Sequence, residues 1–161
     1  MQARKRKSSR SPNARFQCDE DPQRHLVYDW EDEWRDWQLN TLTLEECRVA
    51  VRTACKLYGL KPPAVKQHKY RGMSWCDGRV ISMQAVGFRS RGGKNIATTL
   101  HETAHFIVMR LYPRYRHDHG PTYLGVFLWL LQAAKVAPRI ALHASARYFG
   151  LRWREVPPCK P

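Results

Sequence analysis

The chain has 161 residues, 43% of them hydrophobic, and its 28 Lys and Arg against 14 Asp and Glu give a formal net charge of +14. That length fits one domain plus a tail and is enough to bury a core without disulfide staples. No run approaches the ~18 consecutive apolar residues a membrane span needs. Five scattered cysteines (Cys18, Cys47, Cys55, Cys76, Cys159), with no Cys-x-x-Cys pair, argue for reduced thiols in an intracellular compartment, cytoplasm or nucleoid or nucleus, and against a zinc ribbon.

Residues 1–15 carry six basic residues and no acid, which reads as a disordered basic arm. They have no apolar stretch behind them and so do not read as a secretory signal. Residues 16–40 are acidic and Trp-rich. Trp30, Trp34 and Trp37 recur at i, i+4 and i+7, one face of a helix that packs on the domain or on a partner. Another use for the acids of this segment is to hold the basic arm. The domain proper is expected over 41–155. Thr43 and Glu46 form a capping-box pattern that starts a helix, and Gly59 stands where its C-terminal cap belongs, before Pro62 and Pro63.

From Ala64 to Phe88 the pattern changes to short strands, "AVKQHKY", "MSWC" and "RVISMQAV". Asp77-Gly78 marks a hairpin between the last two, and a small antiparallel sheet is expected. A basic loop, "RSRGGKN", leads to a helix from about Asn95 to Tyr112, ended by Pro113. Gly120-Pro121 opens the next helix, to about Lys135. Pro138 starts the last, to about Phe149, with Gly150 as its cap. The order predicts an α+β domain.

"HETAHFIVMRLYPRYRHDHGPTY", residues 101–123, carries the chemistry. His101 and His105 are four apart on a helix and therefore share a face. Two imidazoles so placed can bind one Zn²⁺ at about 2.0–2.1 Å. Glu102 leans toward the same cleft without being a ligand and can take a proton from water. The rest of the helix is apolar, so these polar groups without a metal would be a costly burial. A catalytic zinc needs a third protein ligand. His119 stands directly before Gly120-Pro121, where the packing of the next helix would fix it. His117 lies in the preceding loop, and spacing alone does not exclude it. His117 or Asp118 can then support the ligands or contact substrate.

"HETAH" followed by "HGPTY" resembles the SprT-like zinc metalloproteases, the family that includes the DNA–protein crosslink protease Spartan. That resemblance implies a minimal zincin-like domain, with His101, His105 and His119 as zinc ligands and Glu102 as general base. It also supports the predicted order of helix, hairpin and helix over roughly 41–135. Many members add a C-terminal Cys₄ zinc ribbon, whereas only Cys159 lies in that part of this chain.

The function read from these residues is a zinc-dependent endopeptidase acting on protein or peptide substrates, including nucleic-acid-associated ones. Residues 37–161 alone hold 20 basic and 6 acidic residues, so a DNA or RNA partner is expected. Its contacts are assigned to Arg4, Lys5, Arg6 and Lys7 of the arm and Arg89, Arg91 and Lys94 of the loop. The alternative is a non-catalytic zinc-containing module that binds nucleic acid or protein. An extended substrate would add a strand to a sheet edge supplied by "GMSWC" or "RVISM". Trp75 is then a substrate contact or, more simply, a core aromatic. His68 and His143 are expected to be structural or surface groups.

Overall fold

The computed structural model describes residues 21, 23–34, 40–69, 72–85, 93–114 and 118–158. The helices are α1 (Arg24–Glu33), α2 (Leu44–Leu57), α3 (Ile96–Leu111), α4 (Pro121–Ala133) and α5 (Arg139–Tyr148). The strands β1 (Ala64–His68), β2 (Trp75–Cys76) and β3 (Val80–Gln84) fall between α2 and α3. The class is α+β. None of these helices is long and apolar enough to cross a membrane.

Local chemistry accounts for most element ends. At the start of α2 the Thr43 hydroxyl accepts from Glu46 N at 3.2 Å, while the Glu46 carboxylate accepts from Thr43 N at 2.6 Å. The two bonds satisfy orphan donors reciprocally. Gly59 ends the helix at φ 64, a left-handed conformation that favours glycine. α3 starts on Asn95, whose side chain accepts from Thr98 N at 2.8 Å. Proline at the first position of α4 lacks the N–H that would be unsatisfied there.

The sheet is mixed, which corrects the antiparallel expectation. Its order is β1-β3-β2, with β2 antiparallel to β3 and β1 parallel to β3, Ala64 opposite Val80 through His68 opposite Gln84. The β2–β3 hairpin is local, and Asp77 closes it by accepting from Arg79 N and Val80 N at 2.8 Å each. Nothing local sets the direction of β1. β1 meets the side of β3 opposite β2, with β2 lying in the connection between them. β3 is therefore the central strand, buried over Ile81–Gln84, and "RVISM" offers no edge.

α3 is the centre of the fold, packed between α2, α4, β2 and β3. Its burial extends around the helix, from Leu100 and Ala104 to Phe106 and Ile107. α4 is also buried on nearly all sides and packs on α3 and α5. α1 belongs to the same core: Val27 is 0% and Trp30 1% exposed. The indole N–H groups of Trp30 and Trp34 both donate to the Ser145 hydroxyl at 3.0 Å, fastening α1 to α5. Trp37 lies outside the described residues, as does the whole arm, 1–15.

The segment after α5 folds back over the start of α4, with Arg154 N donating to Pro121 O at 2.9 Å and Tyr58 Oη to Val156 O at 2.9 Å. Gly125 permits this approach, because a Cβ there would overlap the Arg154 carbonyl oxygen. Alanine normally stabilises a helix interior over glycine. Here Gly125→Ala should instead lose about 2–3 kcal/mol in urea unfolding through overpacking. A stabilised Gly125→Ala protein would show that this crossing is not as close as described.

Candidate metal centre

His101 and His105 stand one turn apart on the inner face of α3, and the turn into α4 brings His119 against them. His101 Nε2 lies 3.2 Å from His105 Nε2 and 3.4 Å from His119 Nε2, and the three ligand atoms all lie within 4.8 Å of one another. His101 and His119 are 7% and 4% exposed, and His105 is half-buried. A tetrahedral ion held at about 2.0–2.1 Å by each nitrogen would space neighbouring nitrogens at about 3.3–3.4 Å. The two separations from His101 are close to that value.

Proton placement strengthens the fit. His119 Nδ1 donates to Asp21 Oδ2 at 2.9 Å, and the same oxygen accepts from His119 N at 2.8 Å. Burial alone would raise Asp21, yet these bonds from His119 hold it below its ordinary value. Asp21 is thus an acceptor only, and the proton sits on Nδ1. His101 Nδ1 lies 2.6 Å from Glu31 Oε1 and donates to it once that carboxyl is ionised. In that state the Nε2 lone pairs of His101 and His119 point at each other across 3.4 Å. No hydrogen can bridge them in that tautomer, and a cation between them removes the repulsion. Carboxylate partners on the outer nitrogen are how proteins orient metal-binding imidazoles.

The surrounding groups are held neutral when no cation is counted. Burial, then the neighbouring His119, pushes His101 well below its ordinary value, and burial with His101 and His119 does the same to His105. Burial pushes the Glu31 carboxyl up to about 8, with Asp32 adding and His119 opposing. Glu102 is 6% exposed, and burial followed by the charges of Glu31 and Asp118 pushes it to about 8. Buried bases that resist protonation and buried acids that resist ionisation, packed together, form a cavity whose electrostatics a divalent cation would offset. The Tyr123 ring stacks on His105 at 4.4 Å between centroids, and its fully buried hydroxyl has no hydrogen-bond partner among the described residues.

The N-terminal segment completes the centre, which the acidic composition of 16–40 did not reveal. The sequence offers its acids to the basic arm, but in the fold Asp21 and Glu31 turn inward to the histidines. Gln23 locks this placement: its Nε2 donates to His119 O at 3.3 Å and Arg152 O at 3.0 Å, while Arg152 N donates to Gln23 Oε1 at 2.6 Å. The available signal was the Trp30–Trp34 stripe. Val27, one turn before Glu31 and on the same face, is fully buried beside that stripe.

The remaining candidates divide. Asp118 is half-buried beside His119 and is raised by burial, with Asp21 adding to the rise. Trp75 is partly exposed on β2, an outer strand of the sheet. Lys94 uses its ammonium to donate to Ala85 O at 3.0 Å, tying down the loop before α3. His68 is buried with Nδ1 2.7 Å from the Ser82 hydroxyl, and His143 packs on Trp153. His117, Arg4, Lys5, Arg6, Lys7, Arg89 and Arg91 lie outside the described residues. Burial pushes Cys55 and Cys76 to about 12, so neither is poised as a thiolate ligand.

Comparison with protein-family models, curated proteins and solved structures returned no match. The geometry itself establishes that His101, His105 and His119 can hold a metal ion.

Removing the supporting carboxylates provides the test. Asp21→Asn and Glu31→Gln should each weaken zinc or cobalt binding about 10–100-fold in chelator competition. His119→Ala should abolish stoichiometric binding, while His117→Ala should leave it intact. Unchanged affinity in both carboxylate variants, or loss only in His117→Ala, would contradict the assignment.

Proposed function

We propose that this chain is a zinc-dependent endopeptidase of the SprT-like type, with a zincin-like arrangement around α3. The observation that carries this reading is the placement of a buried, non-ligating carboxyl, Glu102, one residue from His101 on the helix that presents both histidines. A purely structural metal site has no use for it.

Three imidazoles suit zinc, and three protein ligands leave a fourth position open. Zinc held there would polarise a scissile carbonyl and make water more acidic. The chain's own residues do the rest. Glu31 and Asp21 fix the tautomers of His101 and His119. Glu102, raised toward neutrality by burial and by Glu31 and Asp118, is basic enough to take the proton of the attacking water. Once protonated it can return that proton to the leaving amine. Burial of the centre limits competing solvent. An extended substrate would lie against β2, the outer strand that contacts α3, with Trp75 beside it.

The charge of the chain supports substrates bound near nucleic acid. A net +14 gives a long-range attraction to polyanions. The described residues add exposed Arg139, Arg147, Arg152 and Arg154 near the C-terminal end.

Glu102→Gln should bind zinc as the unsubstituted protein does, yet lose about 10²–10⁴-fold in cleavage of casein or histone. Zinc binding without cleavage by the unsubstituted protein, with and without DNA, would overturn the protease reading in favour of a non-catalytic module. Nucleic-acid binding should weaken steeply between 50 and 200 mM salt, in proportion to the phosphates contacted. A flat salt response would remove the electrostatic case for that partner.

A further inference from the structure

The reaction needs a group on the chain to receive the negative charge that develops on the carbonyl oxygen. Two tyrosines border the centre. Tyr123 is 0% exposed and stacked behind His105, so no substrate atom reaches its hydroxyl. Tyr28 differs. It is half-buried, with its ring stacked on that of His101 at 5.9 Å between centroids and 15° between planes. The same ring lies 5.1 Å from that of His119. It thus covers the centre from α1, bridging the two histidines whose Nε2 atoms face each other.

Its neighbours prepare its hydroxyl to donate. The Arg24 guanidinium, one turn earlier, stands 5.9 Å over its ring. A guanidinium has donors only. Toward Arg24 the phenol oxygen can only accept, and its own O–H is left for a second partner. Accepting from a cationic donor also strengthens a hydroxyl as a donor. The phenol lies within electrostatic reach of Glu31 and Glu102, the two carboxyls at the centre. A phenylalanine would supply the same stack, so packing alone does not account for the hydroxyl.

We infer that Tyr28, polarised by Arg24, is the oxyanion donor of this centre: its O–H donates to the carbonyl oxygen of a bound peptide as that oxygen gains charge. No proton is transferred. The bond strengthens as the carbonyl becomes tetrahedral, and the acidic N-terminal segment thereby contributes a group that touches substrate as well as two that hold ligands. This inference rests on the peptidase reading, but it also predicts that any tetrahedral anion at the centre meets the same hydroxyl.

The test is Tyr28→Phe, which keeps the ring and removes only the oxygen. Zinc content and melting temperature should match the unsubstituted protein. Casein-peptide kcat should fall about 10²–10³-fold, the usual loss for one oxyanion donor, with KM less affected. Affinity of the zinc-loaded protein for methylphosphonate, read by calorimetry, should fall on the order of tenfold, as expected for one lost hydrogen bond to a charged group. If the unsubstituted protein cleaves nothing but Tyr28→Phe weakens methylphosphonate binding, the peptidase reading fails and the role of Tyr28 stands. Unchanged kcat and unchanged phosphonate affinity would overturn it. Loss of zinc in Tyr28→Phe would also overturn it, because the hydroxyl would then serve the metal rather than the substrate.

Discussion

Two hydrogen bonds from histidine Nδ1 to carboxylate, His101 to Glu31 and His119 to Asp21, determine what the centre of this molecule can be. With its carboxyl ionised, each places a proton on the outer nitrogen and a lone pair on the inner one. With His105 they bring three nitrogen donors within 4.8 Å of one another, inside a buried cavity. Without the two carboxylates the rings could rotate or exchange tautomers, and the donor set would lose its aim.

The fold serves that alignment. α3 presents two histidines at one helical turn from the middle of the core. The tight entry to α4 fixes His119, whose backbone N–H is itself held by Asp21. α1 is docked by Val27 and Trp30 in the core, by two indole bonds to Ser145, and by the Gln23 amide bridging His119 and Arg152. Packing of α1 and alignment of the histidines are therefore one event. The energy of burying a tryptophan-rich stripe holds two carboxylates at a depth they would not seek alone.

Features set by neighbouring residues were legible in the sequence. The Thr43–Glu46 box, the Asn95 cap, the glycines at 59 and 150, and the Asp77-Gly78 hairpin depend on contacts within a few positions. The His101–His105 pair follows from helical spacing in the same way. What was not legible is non-local. The parallel pairing of β1 depends on which side of β3 the chain reaches, and no turn signal encodes that choice. Asp21 and Glu31 reach partners 98 and 70 residues away. In an acidic run they look like any solvated carboxylate, and only its place one turn after the buried Val27 separates Glu31 from its neighbours Asp32 and Glu33. Lys94 misled in the opposite sense: in a basic loop it reads as a phosphate contact, while in the fold its ammonium holds a carbonyl.

X-ray absorption at the zinc edge, with metal stoichiometry on the purified full chain, measures the alignment itself. The expected result is one zinc per chain with three imidazole nitrogens at about 2.0–2.1 Å and one non-imidazole oxygen neighbour, with that shell disordered or lost in a double Asp21→Asn, Glu31→Gln protein. A chain that takes up no zinc, a sulfur shell from its cysteines, or a nitrogen shell indifferent to both carboxylates would contradict it.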